Sequence, residues 1–337
     1  ARCHPRPDLS ETSDHTDTMK YWLQRLGMAI LLLLAVSALT FSAMNVLGDP
    51  LFNILGPAAA DVNNPANAEK IAAARAQYNL DDPLPVRYAK WLGDFVTGDM
   101  GVQFSSTGQP PVTNLIKERL PRSLTLLVMA QAFAVIISVP WALFAASKAN
   151  KVPDKLSTLG SFALIAMPAF ALAVILKYLL AIKLGWFPLA YNAGASLPRR
   201  LWQTVLPALT IALPAAAVYQ RLLRTDLITT LQEDFILMAR SKGVSRRGVL
   251  YKHALRPSLF SFITVFGINT GALIGGAFVV EQIFLIPGLG RTIVESIARE
   301  DFPVVLAIVM IVTTAFVVLN VLIDILYSVI DPRVRAS

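Results

Sequence analysis

Long, nearly uncharged apolar runs constrain this chain more than any other feature. Residues 26–47 contain 22 positions without one Asp, Glu, Lys or Arg. A helix rising about 1.5 Å per residue crosses a hydrocarbon core of roughly 30 Å in that length. A cleavable signal would have an apolar region of only about 7–15 residues, so this run reads as a retained span. Five further runs, at about 123–146, 159–184, 206–223, 259–280 and 304–329, bring the expected total to six transmembrane helices. Pro140, Pro168 and Pro214 lie inside or near the ends of these runs, where neighbouring helices tolerate kinks.

Charge is scarce and unevenly placed. Only 15% of the 337 residues are Asp, Glu, Lys or Arg, against roughly 25% in soluble domains. The net charge of +8 sits mainly beside the apolar runs, where positive-inside topology accounts for it without nucleic acid as a partner. Lys20 and Arg25 precede the first run, Lys148, Lys151 and Lys155 come after the second, and Arg333 and Arg335 end the chain. Residues 219–257 hold eight further cations, so the bias places both termini and this loop in the cytoplasm. The polar stretch 48–121 then becomes a folded extracytoplasmic segment, with helices expected over 66–78 and 86–96. Residues 1–18 read as a solvated leader, an upstream start or a non-native extension, with Met19 as the alternative start.

Catalytic and metal chemistry lacks its usual residues. One cysteine, Cys3, excludes cysteine-based zinc or iron–sulfur frameworks, and three histidines give no ligand pattern. There is no G-x-x-x-x-G-K-[ST] loop to cradle nucleotide phosphates, no H-E-x-x-H and no G-x-S-x-G. No cofactor, catalytic residue or metal site is expected in this chain.

The most informative stretch is 225–257. Leu227, Leu231, Phe235, Met238 and Ala239 recur at helical spacing and predict one apolar stripe. Gly243 suits a left-handed helix end, and Ser245 suits the N-cap of a second short helix over 246–255, with Val249, His253 and Ala254 on one side. Two readings stand: an amphipathic helix lying on the anionic leaflet, or a helix–glycine–helix knuckle that meets a soluble partner.

Ala239-Arg240-Ser241-Lys242-Gly243, with His253-Ala254-Leu255-Arg256 ten residues on from the glycine, resembles the cytoplasmic loop of ABC importer permeases. The peptide and nickel branch reads A-R-A-K-G followed by H-A-L-R. The general importer version begins Glu-Ala-Ala, where this chain has Leu237, Met238 and Ala239. The likeness continues from about residue 20 to the end. Residues 80–104, Gly48-Asp49-Pro50, Gly185-Trp186-Phe187-Pro188 and Asp301-Phe302-Pro303 are similar to segments of the first permease of dipeptide and oligopeptide importers. So are Glu281, Phe284, Pro287-Gly288-Leu289-Gly290-Arg291, Asn320, Asp324, Tyr327 and Asp331-Pro332-Arg333.

The resemblance implies an all-α, six-span type I importer permease of the bacterial inner membrane. Its organisation would be a leader (1–18), a first span with extracytoplasmic segment (19–121), a permease core (122–332) and a tail (333–337). The partners implied are membrane lipid, a homologous second permease, an extracytoplasmic peptide-binding protein and two ATPase domains that hold ATP and Mg. Nickel chelates and haem are alternative cargoes within the branch. An ion-coupled secondary transporter is the rival class, but it calls for ionisable groups at midspan.

The resemblance also assigns roles residue by residue. Ala239, Arg240, Lys242, Gly243, Ser245, Arg246, Arg247 and His253 would couple to the ATPase. Phe284, Pro287, Gly288, Gly290 and Arg291 would form a protruding loop toward the binding protein, Arg291 steering an acidic surface, with an ordinary structured turn as the other reading. Independently of it, Gly267, Gly271 and Gly275 predict a close-packed helix face. Asn269 and Thr270 are pathway candidates, with an interhelical hydrogen bond as the other reading for Asn269. Asp324 reads as a gate or interspan ion pair, or as a solvated interfacial acid, and Lys177 as a snorkelling side chain.

Overall fold

The computed structural model describes residues 10–47, 50–59, 64–106 and 108–330. Gly48, Asp49, Asp331, Pro332, Arg333 and Arg335 lie outside the described residues, as do the side chains of Asp324 and Tyr327. Every regular element described is helical: α1 (Ser10–Leu47), α2 (Pro50–Leu55), α3 (Pro65–Gln77), α4 (Leu84–Thr97), α5 (Val112–Ser147), α6 (Val152–Ala166) and α7 (Ala169–Lys183). After these come α8 (Leu197–Thr230), α9 (Asp234–Ser241), α10 (Arg246–Phe284), α11 (Leu289–Ala298) and α12 (Phe302–Ile330).

Five of these, α1, α5, α8, α10 and α12, are long and apolar enough to cross a membrane. The third run departs from expectation. It forms two helices, α6 and α7, bent by 105° at Met167-Pro168. Pro168 has no N–H to give and pushes Met167 into extended backbone, φ −82° and ψ 123°, which ends α6. Counting the bent pair as one span gives six. Prolines 121, 140, 207 and 214 are instead carried inside α5 and α8, so both helices begin well before their apolar runs.

The chain divides into two compact units. One comprises residues 1–110 and 299–337, and in it α1 packs along α12 and touches α4. Asp301, 1% exposed, ties this unit together by accepting from the Phe104 and Ser105 N–H groups and the Ser105 hydroxyl. The other unit, residues 111–298, is built on α5 and α8, with α6, α7 and α10 against them. Its facing surfaces are rich in alanine: Ala134, Ala142, Ala146, Ala212, Ala215 and Ala216 are all buried. Small side chains let helix backbones approach closely, which matters where lipid removes the hydrophobic drive between helices.

Polar ties then fix the register of this second unit. The Gln131 amide donates to the Tyr219 hydroxyl at 3.0 Å and to the Thr270 hydroxyl at 2.9 Å, joining α5, α8 and α10. Ser161 donates to Gln220 at 2.6 Å, joining α6 to α8. Arg224 of α8 makes a bidentate pair with Asp154 of α6, whose carboxylate is 2% exposed and also accepts from the Asn150 N–H. Removing one partner of a buried pair strands the other charge, at a cost of about 3–5 kcal/mol. Arg224→Leu is therefore expected to lower the unfolding midpoint of the detergent-solubilised chain sharply, and Asp154→Leu with Arg224→Leu to recover most of the loss. A single variant as stable as the parent would contradict the pairing.

Lys177 corrects a second expectation. It does not reach for water: its ammonium donates to the Ile283 carbonyl at 2.6 Å and sits 5.6 Å over the Phe284 ring. Ile283 lies in the last turn of α10, where unsatisfied carbonyls and the negative end of the helix dipole attract a cation.

Candidate functional site

The knuckle between α8 and α10 comes first. Helix α9 ends in a Schellman arrangement: the Gly243 N–H donates to the Arg240 carbonyl at 3.0 Å, and the Val244 N–H to Ala239 at 3.2 Å. That closure needs a left-handed residue, and Gly243 has φ +81°. Ser245 then caps α10, its hydroxyl accepting from the Gly248 N–H at 3.2 Å. Both positions are as the sequence leads one to expect.

The rest of the knuckle differs. The apolar stripe is broken, because α8 ends at Thr230 and α9 starts afresh at Asp234. Phe235 and Met238 are exposed, while Ile236 and Ala239 turn inward. No separate short helix ends at residue 255, since α10 runs unbroken from Arg246 to Phe284 through a π turn at Val249–Ala254. Val249, Leu250 and Ala254 join Ile236 in the same buried cluster as Tyr219, Leu223 and Leu227 of α8. His253 is half-buried, whereas Arg240, Lys242, Arg246 and Arg247 are exposed. Beside them Phe235, Leu237, Met238 and Tyr251 are 45–59% exposed. The knuckle therefore exposes apolar side chains and cations together, on a base packed into the helical core.

The α10–α11 hairpin is the second location, and here the expected protruding loop is absent. Phe284, Ile286, Leu289, Gly288 and Gly290 are buried, Pro287 is half-buried, and Leu285 alone of 284–290 is exposed. The fully buried Glu281 organises the hairpin. Its carboxylate accepts from the Ser123 hydroxyl at 2.6 Å, the Arg291 N–H at 3.1 Å and the Gly290 N–H. Ser123 in turn accepts from the Leu289 N–H at 2.8 Å, and Arg122 donates to the Pro287 carbonyl at 3.2 Å. The glycines serve close approach, since the left-handed residue of the turn is Leu285, φ +57°. A Cβ on Gly288 would lie 2.4 Å from Glu281 Oε1, and one on Gly290 would lie 2.4 Å from Phe278 Cα. Arg291 is paired with Glu295 at 2.7 Å and so is no freely steering cation. Sequence inspection missed α11 and the Glu281–Ser123 contact, which joins residues 158 positions apart.

The third location is the face of α10. Gly267 is buried, Gly271 is half-buried, and Gly275 is exposed with nothing within 4 Å of a Cβ placed on it. Close packing within the chain thus holds at one end of the glycine series only. Thr270 points inward to Gln131, and the Asn269 amide nitrogen is buried without a partner among the described residues. Ile268, next to it, is 67% exposed. Among the described residues, no group of three His, Cys, Asp or Glu is placed to hold a metal.

Comparison with known proteins fits this arrangement. Residues 138–336 match the family described as binding-protein-dependent transport system inner membrane component, and residues 18–130 match the N-terminal region of such membrane components. The chain is 36% identical over 320 residues to the oligopeptide transport system permease protein AppB of Bacillus subtilis (strain 168), covering 94% of this chain and 99% of that one. It is 35% identical over 319 residues to the glutathione transport system permease protein GsiC of Escherichia coli (strain K12), with the same coverage, and to GsiC of Salmonella paratyphi A.

Proposed function

The chain belongs to the family of binding-protein-dependent transport system inner membrane components, and on that premise we propose that it is one of two permease subunits of an ATP-driven importer of short peptides. The observation that carries the coupling part of this reading is the knuckle, an exposed apolar and basic surface bonded rigidly to the core of α5, α8 and α10. Two cytoplasmic ATPase domains would dock there, and Arg240, Lys242, Arg246 and Arg247 would meet acidic groups on them. Both termini then lie in the cytoplasm, and α2 to α4 and the α10–α11 hairpin lie outside. The exposed apolar groups of that hairpin, Leu285, Val294 and Ile297, are the surface for an extracytoplasmic peptide-binding protein. The open face of α10 around Ile268 and Gly275, with the half-buried Asn269 at its edge, is where a homologous second permease and the peptide pathway would meet the chain, with Thr270 holding that face in place through Gln131.

Force is what such a chain transmits. ATP-driven closure of the ATPases would move the knuckle, and α10 would carry the motion along its length because a hydrogen-bonded helix resists bending between its ends. In this division of labour ATP and Mg stay on the partner subunits. The purified chain alone is expected neither to bind nor to hydrolyse ATP, as it lacks a phosphate-cradling loop. Stoichiometric nucleotide binding to the isolated chain would contradict this.

The decisive experiment is peptide uptake in cells carrying the chain with its co-encoded partners. Uptake is expected to stop when ATP is depleted and to survive collapse of the proton gradient. The reverse pattern would assign the chain to ion-coupled transport.

A further inference from the structure

Helix α4 carries an arrangement that the importer role does not use. Placed on a wheel at about 100° per residue, its side chains fall into three sectors. Tyr88, Trp91 and Phe95 form one, turned toward α1: the Tyr88 hydroxyl lies 2.7 Å from Ser37 Oγ, and the Tyr88 and Trp91 rings are each 5.6 Å from the Phe41 ring. Next comes an apolar sector made by Val86, Ala89, Gly93 and Val96, all exposed. Val96, at 77%, is the most exposed large apolar side chain among the described residues. The third sector is charged and holds Arg87, Lys90 and Asp94.

The depth of this helix is fixed by what it touches. The apolar span of α1 runs over Leu23–Asn45. Ser37 and Phe41 precede its end by eight and four residues, about 12 and 6 Å inside the slab at 1.5 Å per residue. The open apolar sector of α4 therefore meets the bilayer below the end of the span, near Leu34 of α1, whose carbonyl accepts from the Tyr88 hydroxyl at 3.4 Å. An interfacial helix seats its apolar face about 5–10 Å into the boundary between headgroups and acyl chains, with aromatic rings at that level.

We infer that α4 is a membrane-seated helix whose Val86–Val96 face is covered by lipid of the leaflet at the C-terminal end of α1, with its charged sector, where Lys90 is paired with Asp82 at 2.6 Å, on the water side. Under the proposed topology, on which this rests, that is the outer leaflet. The apolar sector is open along its whole length, and the charged sector lies beside it, about 110° round the wheel, as on a helix half-sunk at an interface. Both properties suit a lipid surface; a protein-docking helix has no need of such a depth.

The test uses Cys3→Ser as background, because Cys3 is the only cysteine. Single cysteines at Val86, Val96, Asp94, Leu31 and Leu39 are labelled with bimane in the full chain. The chain is purified with its co-expressed partner subunits and reconstituted into phosphatidylethanolamine–phosphatidylglycerol vesicles. Quenching by doxyl-labelled lipid at Val86 and Val96 is expected to be within about twofold of that at Leu31 and Leu39, with iodide quenching strong only at Asp94. Iodide quenching at Val86 and Val96 would place the face in water, and quenching by neither agent would place it against protein; both results overturn the inference. Absence of lipid quenching at Leu31 and Leu39 as well would overturn the underlying membrane reading instead.

Discussion

Replacing Gly243 with valine is expected to abolish transport while leaving the chain in the membrane at normal levels. The residue stands at φ +81°, a conformation that costs an ordinary L-residue about 1–2 kcal/mol and a β-branched one more. The closure it permits also satisfies two donors, the Gly243 and Val244 N–H groups. Proline acts still more directly, fixing φ near −65° and deleting the N–H that reaches the Arg240 carbonyl. Neither change touches the buried helices, so insertion and assembly survive, and the surface offered to the ATPases is what changes. ATP hydrolysis by the assembled importer is expected to continue without its dependence on the binding protein. Gly243→Asn is the informative companion, because asparagine tolerates the left-handed region and is expected to keep most of the activity. Full uptake by the valine variant would remove the coupling role from this turn.

Gly290→Ala is the second large effect, and it acts on folding. The added carbon would lie 2.4 Å from the α carbon of Phe278, a backbone atom of the adjoining helix that no rotamer change can move. Overpacking typically costs about 1–3 kcal/mol, and a clash with backbone belongs at or beyond the upper end. The expected result is a marked fall in the amount of monodisperse chain recovered in detergent. Gly275→Ala and Gly276→Ala are matched controls, since nothing lies within 4 Å of a Cβ at either position. In the isolated chain both are expected to be neutral or slightly stabilising, as alanine favours helix over glycine by about 1 kcal/mol. Equal recovery of all three variants would contradict the tight α10–α11 contact.

Features set by neighbouring residues could be read from the sequence. The apolar runs locate the long helices because each satisfies its backbone polar groups internally, whatever surrounds it. Gly243 and Ser245 were legible because a helix end is closed by groups two to five residues away. Features set at a distance could not be read. Glu281 gains its meaning from Ser123, and Lys177 from the end of a helix more than 100 residues on. Gly288 and Gly290 look in sequence like flexible turn residues, but their lack of a side chain makes room for Glu281 and Phe278. The inward turn of Ile236, in place of Phe235 and Met238, stems from the break between α8 and α9, where no proline or glycine gives warning, while Ala239 is buried as its spacing leads one to expect.

The π turn at Val249–Ala254 gives α10 an unusual property. Hydrogen bonds that skip one extra residue accommodate a surplus position without rotating the helix beyond it. A chain with one residue excised inside 249–254 would relax to ordinary α-helix there, and the far end would keep its azimuth. One residue excised near 264 would instead rotate everything beyond by about 100°. Glu281 would then swing away from Ser123, and Phe284 from its buried site. The helix thus has a phase reserve at one end only. The spacing from residue 255 to residue 281 is therefore fixed by rotation as well as by distance.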